Sequence, residues 1–135
     1  MTRVEWQGGM RFVGTGASGH DVAMDAAEPL GRDSAARPVE TLLCALGGCT
    51  GMDVVSILRK METEPTSLHV DIADERAPEY PKVIRSLHLT YVVTGDVPEK
   101  NLRKAIDLSL AKYCPIANTL AGVAKITYEA RVDPA

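Results

Sequence analysis

The chain is poor in aromatic residues, with one Trp, one Phe and four Tyr among 135 residues. Proteins that bind single-stranded nucleic acid stack the bases on clustered aromatic side chains, which so few dispersed rings do not provide. A basic surplus is also missing, because 15 Lys and Arg stand against 18 Asp and Glu, for a net charge of -3. The composition therefore predicts no nucleic-acid partner.

Cysteine is equally scarce, at Cys44, Cys49 and Cys114, with no C-x-x-C spacing. An odd count of three argues against a secreted disulfide framework, and a structural zinc site needs more ligands than this. The three histidines are scattered along the chain without metal-ligand spacing. The sequence thus predicts no metal and no cofactor, and its thiols are either buried apolar groups or reactive ones.

Long charge-free apolar runs are missing as well. No stretch approaches 18 charge-free apolar residues, and residues 1–20 contain no signal-peptide core, so we expect no membrane span and a cytoplasmic protein. Hydrophobic residues make up 45% and charged residues 24%, which is the balance of a globular chain. At this length, a single domain over residues 1–135 is the expectation.

Short apolar segments separated by glycines predict strands at residues 4–6, 10–13 and 22–24. The glycine-rich run 14–19 has no following helix pattern and no Lys-Ser/Thr, which favours a turn over a phosphate-binding loop. Alternating residues predict an antiparallel pair at 68–72 and 83–93 and a last strand over 126–132. The chain is therefore predicted to be α+β, with these strands arranged as antiparallel sheets around a central helix.

That central helix is predicted to begin at Pro38 and to run over residues 39–61. It is apolar on nearly every side, which predicts burial all round, inside the domain or against another subunit. Gly47, Gly48 and Gly51 lie in its middle and suggest that a backbone or ligand approaches closely there.

A second helix is expected to begin with Asp96 and Glu99 as a capping box, and to carry an apolar stripe of Leu102, Ile106, Leu110 and Tyr113. Cys114-Pro115 then opens a short third helix. Cys114 at its N-cap would meet unpaired N–H groups and the positive end of the dipole, which would stabilise a thiolate. The alternative is an inert thiol packed beside Tyr113.

Cys49 lies among glycines and is either a reachable thiol or a core residue. Cys44 lies about 140° round the helix from Cys49 and is interpreted as a packing residue.

Two segments carry a recognisable pattern: Pro38-x-Glu-x-Leu-Leu-Cys-Ala-Leu-Gly-Gly-Cys49-Thr, and Lys112-Tyr-Cys114-Pro-Ile-Ala-Asn-Thr-Leu120. In these motifs the chain resembles the OsmC/Ohr family of osmotically inducible and organic hydroperoxide resistance proteins, in a less characterised OsmC-like branch. The resemblance implies an intertwined homodimer of the OsmC-like fold. It further implies a thiol peroxidase that reduces organic hydroperoxides, with Cys49 as the peroxidatic and Cys114 as the resolving cysteine. An external dithiol would reduce the resulting disulfide.

The chain departs from active relatives next to Pro38, where their glutamate, which holds an arginine near the reactive thiolate, is replaced by Val39. Glu40 and Arg37 are the candidates for the missing roles, with Arg11 and Arg32 as further candidate arginines. On an ideal helix Glu40 lies about 900° before Cys49 and points roughly opposite, so the alternative is that it caps the helix.

Two other functions stay open. The same dimer could bind an apolar ligand or a redox-modified partner without catalysis, its cysteines acting as a sensor or filling space. Disulfide reductase chemistry is the weaker alternative, because it lacks the C-x-x-C spacing.

Overall fold

A computed structural model describes residues 1–134. The chain forms two compact units, Met1–Cys44 and Ala45–Ala135. The strands are β1 (Arg3–Trp6), β2 (Phe12–Thr15), β3 (Asp21–Met24), β4 (Ser67–Arg76), β5 (Ile84–Thr94) and β6 (Lys125–Asp133), and the helices are α1 (Pro38–Lys60), α2 (Glu99–Leu108) and α3 (Pro115–Leu120). A π-helical turn, Ser109–Tyr113, joins α2 to α3. The predicted α+β class and its order of elements are confirmed, whereas a single domain over residues 1–135 stays a prediction.

The first unit contains the antiparallel sheet β1–β2–β3. Its first turn uses Gly8 and Gly9 at positive φ, +90° and +54°, a backbone conformation that side-chain-bearing residues seldom adopt. The Trp6 indole donates a hydrogen bond to the Gly9 carbonyl across that turn, at 2.8 Å. The glycine-rich run 14–19 spans the end of β2 and the turn to β3, as predicted.

The second unit is built on the sheet β4–β5–β6. β4 and β5 are antiparallel, as predicted, but β5 and β6 run parallel, so the expectation of purely antiparallel sheets is wrong. The chain passes through α2 and α3 before β6, which is the length of connection that a parallel neighbour requires. The core of this unit is formed by buried residues of α1, β5 and α2: Leu46, Val54, Leu58, Leu87, Leu89, Tyr91, Val93, Leu102, Ala105 and Ile106.

Helix α1 is buried along one stripe rather than all round. Leu46, Thr50, Gly51, Val54 and Leu58 are buried, whereas other faces are open and Met52 is 76% exposed. A β-carbon at position 47 would lie 3.1 Å from a methyl group of Ile72 on β4, which confirms the close approach expected there. Gly48, in contrast, faces open space, so the same expectation is wrong for that residue.

By length and composition α1 could also cross a membrane, because its best 18-residue stretch has a mean hydropathy of 1.7. The helix still contains no charge-free stretch of that length, because Glu40 and Asp53 interrupt it, and the absence of a membrane span stays a prediction. Only 28% of that stretch is buried within the chain. Core helices of soluble proteins reach the same length and hydropathy. These two properties therefore do not show that α1 crosses a membrane.

Helix α2 begins one residue after Pro98, which is its N-cap and provides no side-chain hydrogen bond. The expected capping box with Asp96 is therefore wrong. Leu102 and Ile106 are buried as predicted, but Tyr113 is 50% exposed. Ser109 continues the buried stripe three residues after Ile106, and the wider i→i+5 spacing of the π-helical turn then places Cys114 rather than Tyr113 in the interior.

In the first unit, the Asp25 carboxylate organises the loop after β3. It is buried and accepts hydrogen bonds from the backbone N–H groups of Ala26 (2.7 Å), Arg32 (3.4 Å) and Ser34 (3.2 Å), and from the Ser34 hydroxyl (2.6 Å). The Ser34 hydroxyl contributes most to lowering the pKa of Asp25, which falls to about 2. Gly31 lies so close that a β-carbon there would collide with the Ala26 carbonyl and with this carboxylate.

We therefore expect Asp25→Asn to destabilise the protein at neutral pH and to matter less in acid. Because the folded-state pKa lies below the ordinary value of 3.8, the carboxylate contributes fully above about pH 5, and the contribution is lost as the pH falls toward 2. Urea unfolding at pH 6 and pH 2.5 measures the difference between the two proteins. Asp33→Asn is the matched control, since Asp33 lies in the same loop and forms an exposed ion pair with Arg37. An unfolding difference that stayed constant between these pH values would contradict the assignment.

Candidate functional site

Helix α1 presents Cys49 at the edge of the core of the second unit. Cys49 is half-buried, while its neighbour Thr50 is fully buried. The adjacent Gly48 has no side chain and faces open space, so the thiol is not covered from that side by its own helix. Cys44, in the first unit, is exposed rather than packed, so the interpretation of Cys44 as a packing residue is wrong within the chain.

Cys114 lies between the π-helical turn and α3, and it is fully buried. Its sulfur accepts a hydrogen bond from the Ala117 N–H at 3.3 Å, which confirms the predicted N-cap. The Cys114 N–H donates to the Ser109 carbonyl at 2.8 Å, and the Asn118 amide donates to the Cys114 carbonyl at 2.8 Å. The backbone of Cys114 is therefore held from both sides.

The Cys114 thiol is not ionised by its N-cap position. Burial raises the pKa of Cys114 well above the ordinary value, and the hydrogen bond from Ala117 only partly opposes this. The Cys49 thiol raises the pKa of Cys114 further, through a hydrogen bond and through the charge that Cys49 carries when ionised. Cys114 therefore keeps its proton at neutral pH. The expectation of a thiolate at Cys114 is wrong.

A chain of buried hydroxyl groups lies beside the two thiols. The Thr50 hydroxyl is 2.8 Å from the Tyr91 hydroxyl and 2.7 Å from the Ser109 hydroxyl. The Ser109 hydroxyl in turn donates to the Asp53 carboxylate at 2.9 Å. Burial raises the pKa of Tyr91 to about 12, and the nearby Cys114 contributes to the rise. Among residues 1–134, every buried side-chain nitrogen and oxygen has a hydrogen-bond partner.

The Asp53 carboxylate determines the direction of each hydrogen bond in this series of side chains. Asp53 only accepts, so Ser109 uses its single proton on Asp53 and must accept from Thr50. Thr50 has then used its own proton, so Tyr91 donates to Thr50. The order is therefore Tyr91→Thr50→Ser109→Asp53, and hydrogen bonds aligned in one direction polarise and strengthen one another.

The remaining predicted site residues lie in the first unit. The Glu40 carboxylate accepts a hydrogen bond from the Arg37 backbone N–H at 3.2 Å, so it caps the start of α1. The Arg37 guanidinium pairs with Asp33 at 2.8 Å and donates to the Ala35 carbonyl at 3.0 Å. Of the other candidate arginines, Arg11 donates to the Ser34 hydroxyl at 2.8 Å, and Arg32 is exposed. Each of these side chains thus has a local structural role or faces solvent.

Sequence reasoning missed four members of this arrangement: Thr50, Asp53, Tyr91 and Ser109. A signal existed for Asp53, which follows Cys49 by four residues and therefore lies on the same helical face. Ser109 follows Ile106 by three residues and so falls on the buried stripe of α2, whereas no signal linked Tyr91, on a distant strand, to these residues. Within the described residues, no cluster of three or more His, Cys, Asp or Glu side chains could hold a metal ion.

Comparison with known proteins places this geometry in a family. The OsmC-like protein family model matches residues 31–129. The chain is 38% identical over 131 residues to Protein YhfA of Escherichia coli K12, and the match covers 96% of each chain.

The solved structure of a hypothetical protein from Aquifex aeolicus is 27% identical, with a TM-score of 0.82 over 98% of this chain and 96% of that one. The organic hydroperoxide resistance protein OhrB of Bacillus subtilis shares the fold, at 15% identity and a TM-score of 0.64 over 96% and 97% of the two chains. The expected family is confirmed: this chain is a member of the OsmC-like protein family.

Proposed function

We propose that this protein is a thiol peroxidase that reduces organic hydroperoxides in defence against oxidative stress. Cys49 is the peroxidatic cysteine and Cys114 the resolving cysteine. One observation carries the proposal: the two cysteine segments are joined, because the Thr50 hydroxyl next to Cys49 lies 2.7 Å from the Ser109 hydroxyl and the Ser109 carbonyl accepts the Cys114 N–H at 2.8 Å. The two thiols differ in burial, since Cys49 is half-buried and Cys114 is fully buried.

In the first step, the Cys49 thiolate attacks the terminal oxygen of the hydroperoxide. A sulfur–oxygen bond forms, the oxygen–oxygen bond breaks, and the alcohol leaves after taking up a proton. Sulfur is oxidised to a sulfenic acid by two electrons, and the peroxide is reduced by the same two. Cys49 is the more accessible of the two neighbouring thiols, which supports this role.

In the second step, Cys114 loses its proton and attacks the Cys49 sulfur. The sulfur–sulfur bond forms, the sulfur–oxygen bond of the sulfenic acid breaks, and water leaves. Cys114 neighbours Cys49, and the Thr50–Ser109 hydrogen bond joins their segments, which supports a step with little rearrangement of the backbone. An external dithiol then reduces the disulfide by exchange and restores both thiols.

An organic rather than inorganic peroxide is proposed because the surface near Cys49 is apolar. Gly48 leaves open space beside the thiol, and Met52 projects into solvent one turn further along α1. An alkyl group buried on such a surface contributes about 25 cal/mol per Å² of apolar area, which hydrogen peroxide does not provide. Family membership supports the same substrate class, because OhrB of Bacillus subtilis, which shares the fold, is named for organic hydroperoxide resistance.

The carboxylate and arginine of active relatives have no counterpart at the same place in this chain. Val39 follows Pro38, and the candidates Glu40 and Arg37 are engaged in capping α1 and in pairing with Asp33. A fixed cation near a cysteine increases its thiolate fraction and stabilises the charge that develops on the leaving oxygen. We therefore propose activity that is slower than that of relatives with the Pro-Glu pair.

The partners that we propose are a second copy of the chain and an external dithiol, in the cytoplasm, with no nucleic acid or membrane. Free cysteines at all three positions agree with a reducing compartment. The exposed face of α1 carries Ala45, Gly48 and Met52 at helical spacing, which an intertwined homodimer would cover.

A non-enzymatic dimer is the second candidate. The apolar surface around Gly48 and Met52 favours it, because that surface could hold an apolar ligand whether or not Cys49 reacts. In that case the cysteine pair would act as a redox sensor or fill space.

The first prediction from this proposal concerns turnover. We expect slow consumption of cumene hydroperoxide with a dithiol reductant, abolished in Cys49→Ser and retained in the matched control Cys44→Ser. Val39→Glu should be faster, because one electrostatic contact of this kind commonly changes a rate by on the order of 10²–10³. Equal rates for wild type and Cys49→Ser would refute the peroxidase and leave the non-enzymatic dimer as the remaining candidate. An unchanged Val39→Glu rate would mean that another residue fills this role.

A second prediction follows from the raised pKa of Cys114. Because Cys114 must ionise before it attacks, disulfide formation after sulfenic acid formation should accelerate by about tenfold per pH unit while the pH stays below that pKa. Stopped-flow mixing with one equivalent of hydroperoxide between pH 6 and pH 9 measures the rate, and Cys114→Ser reports the sulfenic acid alone. A resolution rate independent of pH would contradict the assignment.

A third prediction concerns assembly. Because α1 leaves most of its apolar stretch uncovered, we expect a homodimer of twice 14.5 kDa whose interface buries above ~2,000 Å² in total. Sedimentation equilibrium at micromolar concentration measures the mass. A 14.5 kDa species under those conditions would refute the dimer, whereas Met52→Lys, which places a charge on the exposed face, should weaken it.

A further inference from the structure

The four-residue chain Tyr91→Thr50→Ser109→Asp53 joins the two segments that carry the cysteines. Thr50 directly follows Cys49 on α1, and Ser109 begins the π-helical turn that ends at Cys114. The Thr50 and Ser109 hydroxyls are 2.7 Å apart, and Asp53 adds a second link from α1 to Ser109 at 2.9 Å. Two hydrogen bonds from one face of α1 thus converge on the same serine.

Ser109 transmits this constraint to Cys114 through its backbone. Its carbonyl accepts the Cys114 N–H at 2.8 Å, which is the i→i+5 bond that closes the π-helical turn. The serine side chain is held by α1 and its carbonyl holds Cys114, so the position of Cys114 relative to Cys49 depends on the side-chain contacts of Ser109. Single π-helical turns inserted in this way are frequent at functional sites.

We propose that this hydroxyl chain positions Cys114 against Cys49 and thereby sets the stability of the disulfide between them. This inference rests on the proposed pairing of the two cysteines, but not on catalysis of peroxide reduction. Thr50, Ser109, Asp53 and Tyr91 touch no substrate, so they are positioning residues. The physical reason is preorganisation: two thiols held in contact form a bond far more readily than two that must first approach.

Thiol–disulfide exchange with glutathione measures the stability of this disulfide. One molecule of oxidised glutathione takes two electrons from Cys49 and Cys114, and gives the intrachain disulfide and two molecules of reduced glutathione. Its equilibrium constant measures the effective concentration of one thiol at the other. It can be read by alkylation and mass spectrometry without any hydroperoxide.

Thr50→Val removes the hydroxyl while keeping the shape of the side chain. We expect it to lower this equilibrium constant by about tenfold, which is about 30 mV for the two-electron couple. Thr50→Ser keeps the hydroxyl and should restore the wild-type value, a rescue that a role in packing alone would not produce. Thr90→Val is the matched control, because Thr90 precedes Tyr91 on β5 and is not one of the four hydrogen-bonded residues. It should leave the equilibrium constant unchanged.

Ser109→Ala is the second variant, in case Thr50→Val does not fold as judged by circular dichroism. It removes both links to α1 and should lower the constant by at least as much, whereas Ser56→Ala, on the exposed side of α1, should not. An unchanged constant in the folded variant, failure of Thr50→Ser to restore it, or an equal loss in Thr90→Val would overturn the proposal. So would the lack of any Cys49–Cys114 disulfide in wild type.

Failure of the proposed function gives a different result. If wild type forms the disulfide with glutathione but consumes no hydroperoxide, peroxidase activity is refuted and the positioning role stands. If hydroperoxide is consumed but Thr50→Val leaves the equilibrium constant unchanged, the positioning role is refuted and the peroxidase stands.

Discussion

The buried hydrogen bond between Thr50 and Ser109 is the contact on which the arrangement of the site depends. A buried hydroxyl without a hydrogen-bond partner costs on the order of 1–3 kcal/mol. Moving either side chain away would therefore impose this cost on the hydroxyl that stays behind. The same pair joins the helix that carries Cys49 to the turn that carries Cys114. One contact therefore satisfies two buried hydroxyl groups and fixes these two segments to each other.

The asymmetry between the two cysteines follows from a competition between burial and the helix N-terminus. A charge at a helix N-terminus is stabilised by about 0.3–1 kcal/mol, which is less than one pKa unit. Burial of a thiol shifts its pKa in the opposite direction by as much as several units. Burial is the larger effect at Cys114, which keeps its proton.

The chain belongs to the OsmC-like family, but it lacks the glutamate after Pro38 that the resemblance to active relatives led us to expect. Val39 stands there, and Glu40 is used to cap α1. The carboxylate nearest to the thiol pair along α1 is instead Asp53, and it is occupied by Ser109. The carboxylate of Asp53 is therefore engaged in orienting the Ser109 hydroxyl.

Local patterns in the sequence were sufficient for most of the fold. Alternation predicted β4, β5 and β6, Pro38 predicted the start of α1, and Cys114-Pro115 predicted the N-cap of α3, because each depends on residues adjacent along the chain. The two cysteine motifs also sufficed to recognise the family. Only the tertiary structure decided that β6 runs parallel to β5, that α1 is buried along one stripe, and that Cys114 rather than Tyr113 turns inward after Ser109. The tertiary structure also decided that Cys114 keeps its proton and that Thr50 forms hydrogen bonds with Tyr91 and Ser109. Burial and hydrogen bonding depend on which segments, distant in sequence, pack together.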